Sequence, residues 1–161
     1  MTSNVYVCSA PIQYAPVNAG AACRRDCSPL MHRFAVVGAL FGLFAVLLGA
    51  FGAHWLEARV DPERLSIWAT ASHYLGWHAT TLLVLGFAGA ALAARRLTLA
   101  AGWCFSAGGL IFSGSLYLLV LSDQPLWGAM TPIGGVLLAL GWGLLAAATA
   151  VSNARQHSNR D

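Results

Sequence analysis

The chain contains no lysine, and all nine of its basic residues are arginine. Charge of either sign is scarce: 9% of the 161 residues are charged, where a soluble domain carries about 25%. So few charges do not clothe a water-soluble globule of this size. Disorder is excluded as well, because it needs low hydrophobicity and high charge, and 58% of these residues are hydrophobic. Four cysteines are too sparse for a disulfide-stapled secreted scaffold. The net charge of +3 is small and scattered, which excludes a nucleic-acid surface. What remains is an integral membrane protein with one small domain, whose first partner is the lipid bilayer.

Long apolar runs are what the chain does have. Residues 34–53 hold no charge, and at about 1.5 Å per residue they cover the roughly 30 Å hydrocarbon core. Further runs cover about 66–94, 97–122 and 128–151. Backbone polar groups find no water in lipid, so these are helices or closed-barrel strands. Barrel strands alternate over about ten residues, whereas these runs are continuous. The expected fold is all-α: a bundle of four transmembrane helices within residues 31–152, followed by a short polar tail at 153–161. Asp61 suits the N-cap of the second helix, Pro62 its first position and Glu63 its first turn. That helix would extend to residue 94, with Arg64 and Trp68 at headgroup level. The turn at Arg95 and Arg96 makes the second and third helices antiparallel neighbours.

Four spans put both termini and the 95–96 turn on one side. That side holds Arg24, Arg25, Arg33, Arg95, Arg96, Arg155 and Arg160, while the other holds Arg59 and Arg64. Seven against two predicts cytoplasmic termini. A cleaved signal peptide at 31–53 fits less well, since its apolar core is longer than the roughly 7–15 residues of such signals.

Residues 1–30 have no helical period and read as a disordered tail. Cys8, Cys23 and Cys27 lie there without the spacing or the fourth ligand of a zinc site. Met31, ahead of His32, Arg33 and the apolar run, reads as a translation start, which makes 1–30 an upstream extension of the frame.

Small residues recur at helical spacing: Gly38, Gly42, Ala45, Gly49 and Ala53; Gly86, Ala90 and Ala94; Gly135, Ala139, Gly143 and Ala147. Such stripes let backbones approach closely. They predict packing within one bundle, or alternatively the seam of a homo-oligomer or larger membrane complex.

Polar residues gather in the outer half of the expected bundle. His54 ends the first helix; Tyr74 and His78 share a face of the second, near His73. Ser113, Ser115 and Tyr117 lie on the third, and Thr131 opens the fourth. Ionisable groups inside a membrane raise a functional question, and histidine can relay protons or hold a ligand. With no carboxylate inside the spans to complete a relay, interhelical hydrogen bonding is the simpler reading. A solute or proton path through an oligomer is the alternative.

Enzyme motifs are missing: there is no His-x-x-Glu-His, no Gly-x-Ser-x-Gly and no P-loop. Phe112-Ser113-Gly114-Ser115 has no base and orienting acid, and Cys104 reads as a small apolar residue. No catalytic residue, cofactor site or metal site is expected.

Several segments together resemble a family. Gly49-Ala50-Phe51-Gly52-Ala53-His54 resembles the signature of the small bacterial inner-membrane proteins grouped as domain of unknown function 423, with small eukaryotic transmembrane relatives. Trp68-x-Thr70, Tyr74-x-x-x-His78-Ala79, Phe112-Ser113-Gly114-Ser115-Leu116-Tyr117, and Thr131-Pro132-Ile133-Gly134-Gly135 with Gly141-Trp142 are similar to its later motifs. The likeness covers about residues 33–146. It implies a four-helix protein of the bacterial plasma membrane and implies no activity.

Overall fold

The computed structural model describes residues 29–92 and 94–158. The expectations for the N-terminal tail and its three cysteines lie outside these residues. Four long helices make up the described structure, with no strand among the described residues. Helix α1 is Pro29–Phe51 and runs on through a π turn, Gly52–Leu56. Helix α2 is Pro62–Ala88, followed by a 3₁₀ turn, Gly89–Ala91. Helices α3 and α4 are Arg95–Ser122 and Pro125–Ser158. Among the described residues, three segments are long and apolar enough to cross a membrane: Met31–Leu56, Arg95–Ser122 and Pro125–Ser158. Helix α2 has the length, with 27 residues spanning roughly 40 Å, but it is more polar.

The start of α2 follows from local chemistry. Asp61 has extended backbone and accepts a hydrogen bond from the Arg64 amide at 2.9 Å, with Pro62 opening the helix behind it. That amide holds the exposed Asp61 carboxyl below the usual carboxylate range. At the far end the helix stops at Ala88, short of the expected residue 94. Gly89 sits against Thr98 and Met31, and Leu92 is already extended. An apolar run carries no stop signal of its own, so the run length overstated the helix. Arg95 and Arg96 open α3 instead of forming the turn.

Asp123 ends α3 in the left-handed region, at φ 57°, a conformation that aspartate tolerates better than most residues. Pro125 then starts α4 three residues ahead of the expected boundary, which places Pro132 inside the helix. Helix α4 continues to Ser158, through most of the expected polar tail. Arg64 reaches across to pair with Asp123 and also lies 3.5 Å from Asp61. This exposed network ties the start of α2 to the α3–α4 turn, although such pairs contribute little individually.

The helices pack in chain order, α1 on α2, α2 on α3 and α3 on α4, with a slight contact between α1 and α3. Three close backbone approaches set the geometry, one of them at Gly86, where a Cβ would lie 2.6 Å from the Ala35 nitrogen. A Cβ at Gly38 would lie 2.7 Å from the Ala79 carbonyl oxygen, and one at Gly134 would lie 2.5 Å from the Phe112 nitrogen. Trp68, Phe34, Phe105 and Leu82 are the bulky residues buried between these seams. The α4 stripe expected from the sequence lies on another face. Gly134, Leu138, Gly141 and Ala148 are buried, whereas Ala139, Gly143 and Ala147 are exposed.

Trp68, near the start of α2, turns inward. It is 2% exposed and belongs to the core. Its indole faces α1 and donates to a carbonyl there rather than pointing out of the bundle.

Candidate functional site

The expected polar layer resolves into separate hydrogen-bonded connections between helices. At one, His78 on α2 is buried, with Nδ1 2.7 Å from the Tyr74 carbonyl oxygen. Its Nε2 lies 3.3 Å from Nε1 of Trp142 on α4. A carbonyl only accepts and an indole N–H only donates. The ring therefore donates from Nδ1 and accepts at Nε2, which is a single neutral tautomer. A doubly protonated ring would face the indole donor with a second donor. Phe105 packs on the imidazole with ring centroids 5.6 Å apart.

Tyr117 on α3 forms the next connection. Its hydroxyl lies 3.0 Å from Ser72 Oγ on α2. Ser72 spends its own hydrogen on the Trp68 carbonyl at 3.2 Å, so Tyr117 is the donor. The Tyr117 ring also packs on Trp68, centroids 4.5 Å apart. Nearby, Ser113 donates to the Ala71 carbonyl at 2.9 Å, joining α3 to α2 through a backbone acceptor. Ser115 and Thr131 share a hydrogen bond of 2.9 Å between α3 and α4, and Ser115 also reaches the Phe112 carbonyl at 3.0 Å.

Two expected members stand apart. His54 is exposed in the π turn and joins none of these contacts. Tyr74 is 36% exposed and contributes its carbonyl to His78, while its ring packs on Phe112 at 4.6 Å. Three residues were missed. Ser72 and Trp142 complete the connections, and the Trp68 indole donates to the Leu48 carbonyl at 2.7 Å. Trp142 was visible only as a position of the family likeness and Trp68 also as a headgroup-level residue; no periodicity marked either as a hydrogen-bond donor.

The Trp68 bond explains part of the Gly49–His54 segment. A Cβ at Gly52 would lie 2.5 Å from Cδ1 of Trp68, so only glycine lets the indole reach Leu48. Beyond it the helix widens, and the Glu57 amide bonds the Gly52 carbonyl at 3.1 Å. Such π turns carry one residue more per turn than an α-helix and occur often at functional sites.

Among the described residues, no buried side-chain nitrogen or oxygen lacks a hydrogen-bond partner. The layer therefore presents no unpaired buried group to a ligand. Chemically it can hold helices in register. His78→Ala is expected to cost on the order of 1 kcal/mol, because Trp142 and the Tyr74 carbonyl both lose a partner in a dry layer. His78→Gln keeps a donor and an acceptor and should cost less. Thermal unfolding of both variants in detergent reads the difference.

A family model described as "Protein of unknown function (DUF423)" matches residues 48–135. A UPF0382 membrane protein of Staphylococcus aureus (strain bovine RF122 / ET3-1), SAB0533, is 42% identical over 119 residues, which is 74% of this chain and 96% of the relative. The chain belongs to this family. The UPF0382 membrane protein YwdK of Bacillus subtilis (strain 168) is 41% identical over 112 residues, 70% of this chain and 91% of its own length. Another, SERP0230 of Staphylococcus epidermidis, is 43% identical over 119 residues, again 74% of this chain and 96% of the relative. No solved structure matches. The DUF423 match begins at Leu48, the acceptor of the Trp68 indole, and spans every member of the polar layer except Trp142. The family is uncharacterised in activity, and its members are named as membrane proteins.

Proposed function

We propose that this DUF423 protein is a non-enzymatic accessory or interaction subunit of a bacterial plasma membrane. In this reading it crosses the bilayer four times, with both termini in the cytoplasm. The seven-to-two arginine distribution supports that orientation. The polarity of α2 is compatible with a span because its buried hydroxyls and imidazole bond within the protein.

One observation carries the functional reading: among the described residues the buried polar side chains bond one another or backbone carbonyls, with no carboxylate among them. A relay or solute path needs groups left over for its cargo. The outer faces of α1 and α4 meanwhile carry large exposed apolar residues, among them Leu43, Val46, Ile133 and Val136. They suit lipid, a second copy or a larger membrane assembly. Nucleic acid is no partner in this reading, and neither cofactor nor metal is required.

A pull-down from nanodiscs with mass spectrometry tests the proposal beside proton and solute flux in liposomes. A co-isolated membrane assembly with flux at the background of empty liposomes is expected. Flux above that background, lost in His78→Gln while the fold survives, would overturn it in favour of transport.

A further inference from the structure

A crevice of about 400 Å³ opens between α1 and α2, beside the π turn, with Ser72 of the polar layer in its wall. Its origin is a divergence of two helices. At Gly38 the backbones nearly touch; a Cβ at Gly42 would find its nearest neighbour at 3.8 Å, and one at Gly49 at 4.0 Å. Gly49, Ala45, Ala53 and Ala69 are too small to fill the space this leaves. The Trp68 indole, fixed by its bond to Leu48, closes one wall.

Two exposed polar side chains line this crevice without a side-chain partner among the described residues. Glu57, directly after the π turn, makes no ion pair and no side-chain hydrogen bond among the described residues, and the His73 imidazole makes no hydrogen bond among them either. The cations at this end of the molecule are already committed. Arg59 lies over the Trp55 ring at 4.0 Å and donates to the Trp55 carbonyl at 2.8 Å. Arg64 is held by Asp61 and Asp123. The crevice therefore carries one uncompensated carboxylate, a ring nitrogen that can accept, and an otherwise mainly apolar wall.

We propose that this crevice binds a primary ammonium carrying an apolar chain. A primary ammonium has three donors and no acceptor. Its donors meet the Glu57 carboxylate, while the chain lies over the small residues of α1 and α2 toward His73. A ligand of this chemistry is either a free alkylamine or the amine headgroup of a phosphatidylethanolamine lipid. The volume falls within the range of small-molecule sites, about 300–1,000 Å³. The site goes beyond the proposed interaction role and stands without it, since it turns on Glu57, which takes no part in the bonds between α2, α3 and α4.

The test uses the full chain in phosphatidylcholine nanodiscs, with empty discs as blank, titrated calorimetrically with n-hexylammonium chloride and separately with 1-hexanol. Saturable binding of the amine is expected, about tenfold tighter than the alcohol, as suits a hydrogen bond to a charged group. Glu57→Gln should bring the amine down to the level of the alcohol, and Ala69→Leu should weaken both by filling the crevice. Glu57 and Ala69 are exposed, so unfolding temperatures without ligand should match wild type. Equal affinity of wild type and Glu57→Gln, or of amine and alcohol, would overturn the proposal. Discs containing half phosphatidylethanolamine distinguish the source. Amine affinity that falls in wild type but not in Glu57→Gln identifies the lipid headgroup, and unchanged tight binding identifies a free amine.

Discussion

Gly134→Val is expected to destabilise the protein by about 3 kcal/mol, the upper part of the range for overpacking a tight interior. The Cβ would lie 2.5 Å from the Phe112 nitrogen and 2.7 Å from its Cα. Both are backbone atoms in the middle of α3, so no rotamer change relieves the clash and the two helices must move apart. Gly143→Val, on the same helix, is the control. A Cβ there meets nothing within 4 Å, and the change should stay within about 0.5 kcal/mol. Both variants are read by thermal unfolding in one detergent. Equal losses would mean that α4 does not dock on α3 through the Gly134 face.

Trp68→Ala should cost about 3–5 kcal/mol, the usual loss on truncating a buried aromatic residue to alanine. The ring is 2% exposed, packs on Tyr117 and Phe51, and seals the bare backbone of Gly52. Trp68→Phe retains an apolar ring but loses the indole N–H, which leaves the Leu48 carbonyl without that donor. It should cost about 1 kcal/mol beyond any packing loss. A tryptophan on the outer face of the bundle would behave otherwise, with little loss of unfolding temperature in detergent for either variant.

Helix number, the Asp61 cap and the family were legible in the sequence for a physical reason. Apolar runs between sparse charges and a local Asp-Pro-Glu cap are properties of contiguous residues. Facing was not legible. On α4, Gly134 and Gly135 are adjacent in sequence, and both begin a four-residue series of small or apolar residues. The Gly135 series looked more regular, yet the chain docks near Gly134, where the Phe112 backbone fits. A helix apolar on every side gives no amphipathic signal to decide between such registers. The polar layer was legible as a set of residues and not as pairings. Depth along each helix follows from counting, but Ser113 meeting a carbonyl of Ala71, or Tyr117 meeting Ser72, depends on helix rotation. His54 was misplaced because the π turn adds residues to α1 that a uniform α-helix does not anticipate.

The most direct test of the four-span account is a set of reporter fusions, a phosphatase active outside and a fluorescent protein active inside, placed after Arg96, Asp123 and Asp161. Crossing by all four helices with the N-terminus inside predicts cytoplasmic signals after Arg96 and Asp161, and an external signal after Asp123. If α2 fails to cross while the three more apolar segments do, every signal reverses: Arg96 and Asp161 report the outside and Asp123 the inside. That reversal would contradict the account.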